Sequence, residues 1–142
     1  MKTIILIFLV TTTTSIYSQT KEYAGIYKRH FDINEEGSIE YQLGLSPDGT
    51  FTFHNYRKIS AKNPEENQYG KGTWKIEKNK VLYFYTNKEN DLDEKYTLNF
   101  TNTKARYITK SPRDASEKEV KNHLRFYNSE ISWIKGNKLF RN

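Results

Sequence analysis

The chain has 142 residues and no cysteine, which excludes disulfides, thiolate metal sites and thiol redox chemistry. Its 23 Lys and Arg residues exceed its 17 Asp and Glu residues, so the net charge is +6, but the two signs are interspersed without a basic run. Binding to nucleic acid is therefore not expected, because proteins that bind it concentrate their positive charge on one face or segment.

The first 18 residues have the composition of a secretory signal peptide. Lys2 precedes an apolar run over 4–10, and Ser18 is a small residue of the kind found before a cleavage site. The apolar run is too short to span a bilayer, which requires about 20 residues, and no cysteine is present to carry a lipid. We predict a signal peptide over 1–18, cleaved after Ser18, and one secreted or periplasmic domain over 19–142 with no transmembrane segment.

A β-hairpin is the clearest element of the remaining sequence. Apolar and polar residues alternate over 39–45, which is the period of a strand with one buried face. Residues 47–49, Pro-Asp-Gly, predict a turn because Pro fixes φ, Asp bonds its own backbone and Gly accepts positive φ. Phe51 and Phe53 resume the alternation in the next strand.

Further strands are expected where apolar residues lie between turn-forming residues. Including the hairpin, the candidates cover 23–33, 39–45, 51–59, 69–76, 81–85, 96–100, 105–108, 124–126, 131–133 and 139–140. One short surface helix is predicted near 114–121, where Ser116 and Glu119 have capping-box spacing. The sequence thus predicts an all-β, antiparallel up-and-down barrel of about 8–10 short strands, with a β-sandwich as the alternative.

Several short motifs lie in these strands: Gly25-x-Tyr27, Leu43-x-Leu45-x-x-Asp48-Gly49-Thr50-Phe51, Gly72-x-Trp74, Leu124-x-Phe126, Ile131-x-Trp133 and Leu139. In these motifs the chain resembles the small secreted lipocalin-like domains of bacteria, including the NlpE-like copper-resistance group. The resemblance implies a lipocalin-like, calycin-type barrel whose interior or mouth holds a small apolar ligand. The cysteines of the NlpE-like group are missing, and Tyr27 stands where true lipocalins usually carry tryptophan. The resemblance therefore leaves the ligand open.

Aromatic residues make up 15% of the chain and supply either a solid core or a pocket. They form the core if the barrel interior is filled, and they line an apolar pocket if it is roomier. The candidate ligand-binding residues of the interior are Tyr27, Tyr41, Leu43, Phe51, Phe53, Trp74, Phe84 and Trp133. We expect a small hydrophobic ligand and no cofactor.

The residues that commonly carry catalysis or bind metals do not form a recognisable set. His30, His54 and His123 lack the spacing of metal ligands, although His54 follows Phe53 closely enough to be tested. Acidic pairs occur only in polar loops, where solvated turn charges explain them: Glu35-Glu36, Glu65-Glu66 and Asp91-x-Asp93-Glu94.

We predict a non-catalytic binding protein with no metal site. The alternative is an envelope structural or protein-interaction domain that uses an exposed aromatic face containing Tyr83 and Tyr85.

Overall fold

Inward apolar and outward polar side chains alternate through most strands of the computed structural model, which describes residues 19–142. The nine strands are β1 (Gly25–Asn34), β2 (Gly37–Leu45), β3 (Thr50–Lys58), β4 (Glu66–Glu77), β5 (Val81–Tyr85), β6 (Tyr96–Leu98), β7 (Thr103–Ile108), β8 (His123–Asn128) and β9 (Lys138–Arg141). The signal peptide predicted for residues 1–18 lies outside the described residues.

Eight of these strands form a closed ring in which neighbouring strands are antiparallel. The order around the ring is β1-β2-β3-β4-β5-β7-β8-β9, and β9 pairs with β1 to close it. The short β6 pairs in parallel with Tyr69 and Gly70 of β4, a part of β4 that β5 does not reach. The predicted all-β, up-and-down barrel is confirmed, and a single closed sheet excludes the sandwich alternative.

Two glycines on β4 allow other parts of the chain to approach its inner face. A Cβ atom at Gly70 would lie 2.6 Å from the ring of Phe100. A Cβ atom at Gly72 would collide with the backbone oxygen of Tyr85. Side chains at these positions would therefore push Phe100 and the end of β5 away from β4.

The helix predicted near 114–121 is wrong, because these residues have no helical turn. The side-chain oxygen of Asp114 accepts a hydrogen bond from the backbone of Ser116 at 2.9 Å and stabilises a local turn. Nearly all of the segment is exposed, so it lacks an apolar face that would hold a helix against the barrel. The helical residues of the described chain are instead 19–23 and the short 3₁₀ helix Lys78–Lys80, and none of its helices is long and apolar enough to cross a membrane.

The strand predicted over 131–133 is also wrong, since this segment is a turn between β8 and β9. The backbone N–H of Ile134 donates to the carbonyl of Ile131 at 3.1 Å. The turn brings the ring of Trp133 onto that of Tyr41, with 5.5 Å between centroids and 18° between planes. This ring packing replaces the strand that the apolar alternation predicted.

Replacing Gly72 with alanine tests the close approach of β4 and β5. We expect G72A to lower the free energy of unfolding by about 2 kcal/mol, because overpacked sites force the backbone to shift. The measurement is the urea midpoint, read together with the slope of the transition.

Gly44→Ala is the matched control. A Cβ atom there would meet the hydroxyl of Thr52 at 3.1 Å and the side chain of Ile26 at 3.5 Å, both of which can move. Equal effects of the two substitutions would contradict the role assigned to Gly72.

Candidate functional site

The two ends of the barrel are built from different parts of the chain. At one end, called the helix end, residues 19–23 lie beside the β2–β3 turn, with a hydrogen bond of 2.6 Å from the Thr20 hydroxyl to the carbonyl of Pro47. At the other, called the loop end, lie the β1–β2 turn and the 129–137 segment. A site that opens to solvent must be at one of these ends or on the outer face.

Several polar side chains of the helix end are held by hydrogen bonds to the main chain. The guanidinium of Arg141 donates to the carbonyls of Glu22 at 3.0 Å and Ala24 at 2.6 Å. The hydroxyl of Tyr27 donates to the carbonyl of Tyr23 at 2.6 Å, and burial raises the pKa of the Tyr27 phenol well above its ordinary value. These polar groups are therefore occupied by the fold itself.

The middle of the interior is filled by phenylalanine rings. Phe100 lies 5.1 Å from Phe51, 5.0 Å from Phe53 and 6.2 Å from Phe84, measured between ring centroids. Phe51 and Phe84 are also in edge-to-face contact at 5.2 Å. All four side chains are buried, so this layer of the barrel is a packed core.

At the loop end, this core ends in a set of rings that are less covered. Tyr41 stacks on Phe53 at 6.2 Å as well as on Trp133, and Phe31 meets the edge of Tyr41 at 6.0 Å. Phe31 and Trp133 are only partly buried. We call Phe31, Tyr41, Phe53 and Trp133 the aromatic platform.

The eight residues predicted to bind a ligand all belong to or pack against one core cluster. Tyr27 is near the helix end, where Trp74 donates from Nε1 to the carbonyl of Ser46 at 3.1 Å. Leu43, Phe51 and Phe84 lie in the filled interior. Tyr41, Phe53 and Trp133 come together in the aromatic platform. A role for these eight residues in ligand binding stays a prediction.

A row of polar residues meets the aromatic platform at Tyr41, and the predictions from the sequence did not include it. Strand pairing aligns Arg29 with Tyr41, Tyr41 with Asn55, and Asn55 with Gln68, so these four residues cross the inner face of β1 to β4. The signal was present, since Asn55 and Arg57 continue the alternation that begins at Phe51 and Phe53.

Asn55 is the unusual member of this row. Its side chain is only 6% exposed, and its Nδ2 donates to the side-chain oxygen of Gln68 at 2.9 Å. Its own Oδ1 is buried and has no hydrogen-bond partner. A buried acceptor without a donor costs free energy, so this atom calls for a partner that the fold does not supply.

His54 and the loop carboxylates of Asp91 and Asp93 have local structural partners. His54 faces outward, stacked on Tyr69 at 4.6 Å and bonded to the side chain of Asn67 at 2.7 Å. Asp93 accepts from the backbone N–H groups of Tyr96 and Lys95, which lower its pKa. Residues 19–142 contain no group of three His, Cys, Asp or Glu side chains that could hold a metal ion.

Comparison with known proteins does not narrow the function. No family model matches the chain, and searches of the curated proteins and of the solved structures return no match. The closed eight-stranded antiparallel barrel is consistent with a lipocalin-like fold.

Replacing Asn55 with leucine tests whether the polar row costs stability. We expect N55L to raise the free energy of unfolding by about 1 kcal/mol, because it removes a buried acceptor that lacks a donor. Chemical denaturation of the two proteins measures the difference.

Thr86→Val is the matched control at a buried polar site whose bonds are made. The Thr86 hydroxyl donates to the carbonyl of Lys71 at 3.1 Å and accepts from the N–H of Phe100 at 2.9 Å. We expect T86V to destabilise the protein by about 2 kcal/mol. A loss of stability in N55L as large as that in T86V would show that the Asn55 amide is satisfied by the fold.

Proposed function

We propose that this protein is a non-catalytic, lipocalin-like binding protein that holds a small hydrophobic molecule at the loop end of its barrel. The supporting observation is the aromatic platform, whose Phe31 and Trp133 pack against the core but are only partly buried. Aromatic side chains next to a few polar groups are typical of the lining of small-molecule sites.

The loop end is favoured over the interior, where the sequence placed the pocket. A ligand in the interior would have to displace rings that are already in contact at 5.0–6.2 Å. At the platform, a ligand can pack on Phe31 and Trp133, which are only partly buried. The proposed site therefore keeps Tyr41, Phe53 and Trp133 from the predicted set and adds Phe31.

The proposal includes export and membership in the calycin-type group. Cleavage after Ser18 would leave the 19–23 helix in place, and a cysteine-free core is suited to an oxidising secreted or periplasmic compartment. The absence of catalysis is also proposed, because the loop carboxylates and His54 described above are engaged in turns and surface contacts.

A titration with the neutral fluorescent probe N-phenyl-1-naphthylamine tests the proposal. We expect saturable binding by the wild type, with energy transfer from Trp133 to the bound probe. Trp133→Leu should weaken binding about tenfold, because it removes an aromatic contact and part of the platform area.

Tyr127→Ala serves as the control, since Tyr127 is an exposed aromatic residue on β8, away from the platform. Thermal melts establish that both variants are folded. The absence of saturable binding by the wild type, or equal binding by the two variants, would overturn the proposed site.

A second candidate function is protein interaction through the outer face of β4, β5 and β7. Tyr85 is 53% exposed, and Tyr83 lies beneath the ammonium groups of Lys104 at 5.2 Å and Lys75 at 5.8 Å. These residues line a surface groove of about 400 Å³. Exposed tyrosines next to cations are frequent in protein interfaces.

This alternative predicts that a partner is bound through Tyr85. Immobilised wild-type protein should retain a specific component of an envelope extract that Tyr85→Ser does not retain, because the substitution removes the most exposed ring. Retention of the same component by immobilised Trp133→Leu protein would show that the component binds the outer face. Retention unaffected by Tyr85→Ser would contradict the alternative.

A further inference from the structure

The polar row and the aromatic platform are adjacent layers of one surface. Tyr41 belongs to both, with Arg29 opposite it on β1 and Asn55 opposite it on β3. Directly paired residues have Cβ atoms about 4.5–5.5 Å apart. Charged, amide and aromatic groups are therefore within reach of one small molecule.

Two guanidinium groups flank Tyr41. Arg29 is its direct partner across β1 and β2, and Arg57 is two residues beyond Asn55 on the same face of β3. Burial raises the pKa of the Tyr41 phenol, and the charges of Arg57 and Arg29 act to lower it. Both cations are thus electrostatically coupled to the Tyr41 hydroxyl.

Neither guanidinium is neutralised by the fold. Within residues 19–142, no carboxylate forms a salt bridge with Arg29 or Arg57, although Glu66 is paired with Arg57 in the strand register. The guanidinium carbon of Arg29 lies 4.1 Å from the ring centroid of Phe31. This stacking leaves the N–H edge of Arg29 available to an acceptor.

The unpartnered Oδ1 of Asn55 adds an acceptor to these donors. Asn55 is paired in register with Tyr41, and the group that satisfies its Oδ1 must bring an N–H or O–H. A ligand that meets all the contacts would carry an anionic group for the arginines, a donor for Asn55 and an apolar body for the rings.

We infer that the loop end binds a small organic anion with an apolar body, and that Arg29 and Arg57 hold its anionic group while Asn55 accepts a hydrogen bond from it. This inference rests on the proposed function and names the ligand class of the same site. Charge-assisted hydrogen bonds to guanidinium groups supply the preference for an anion over a neutral molecule of the same shape.

Two probes with the same carbon body separate the inference from the proposed function. The anionic probe is 8-anilinonaphthalene-1-sulfonate, and the neutral probe is N-phenyl-1-naphthylamine; both carry an N–H, and only the first carries a sulfonate. We expect the wild type to bind the anionic probe about tenfold more tightly. Arg57→Gln should remove most of this preference and leave binding of the neutral probe within about twofold.

Arg125→Gln is the matched control for a lost charge. Arg125 is exposed on the outer face of β8, where it is paired in register with Arg106, a second pair of neighbouring cations that attracts anions nonspecifically. We expect R125Q to bind both probes as the wild type does. A loss of the anionic preference in R125Q but not in R57Q would place the anion on the outer face and overturn the inference.

The remaining outcomes distinguish the two claims. Saturable binding of the neutral probe with no preference for the anion overturns the inference and leaves the proposed function standing. No saturable binding of either probe overturns both. Weaker binding of both probes by Asn55→Leu with the anionic preference kept, together with loss of that preference in Arg57→Gln and native near-UV circular dichroism in both, would support the complete contact set.

Discussion

The rings of Phe51, Phe53, Phe84 and Phe100 meet inside the barrel because β4 has no side chain at the two inward positions that face them. The ring of Phe100 lies against Gly70, and Gly72 faces both Phe51 and the backbone of Tyr85. This packing fills the interior and leaves its ends as the places where a ligand gains contacts. Hydrogen bonds from Arg141 and Tyr27 occupy polar groups of the helix end, so of the two ends the loop end is the one where partly buried rings lie next to an unpartnered polar group.

Aromatic burial also explains how a chain without cysteine closes such a barrel. A domain of this length buries roughly two-thirds of the surface that its unfolded chain exposes, which can be enough without cross-links. The polar row and the nearby Arg57 depart from this design, because Asn55 has an unsatisfied oxygen and, within residues 19–142, neither Arg29 nor Arg57 forms a salt bridge. Such local departures from maximal stability are expected where residues are kept for binding.

The sequence predicted the barrel because alternation with a period of two is a local property, clear at 39–45 and at Phe51 and Phe53. The sequence did not predict whether the interior is filled, because that depends on how closely β4 approaches Phe100 and β5 in the folded barrel. The capping-box spacing at Ser116 predicted a helix that does not form, because the segment has no apolar face that packs against the barrel. For Trp133, contact with Tyr41 outweighed strand propensity. Continuing the β3 alternation to Asn55 and Arg57 would have revealed one member of the polar row and one of the two arginines that flank Tyr41.

Cations lie next to aromatic rings both on the outer face and at the loop end. Their surroundings differ, and so does the strength with which they attract an anion. Lys75 and Lys104 stand over Tyr83 along a hydrated surface groove, where solvent and salt screen their attraction for an anion. Arg29 and Arg57 flank a phenol that burial has partly removed from water, and a buried amide lies beside it. Electrostatic attraction increases as the effective dielectric constant falls, so the buried phenol and amide, rather than a deeper burial of the cations themselves, favour an anion at the loop end. The same burial limits the site to small molecules, whereas the outer groove can meet a protein surface.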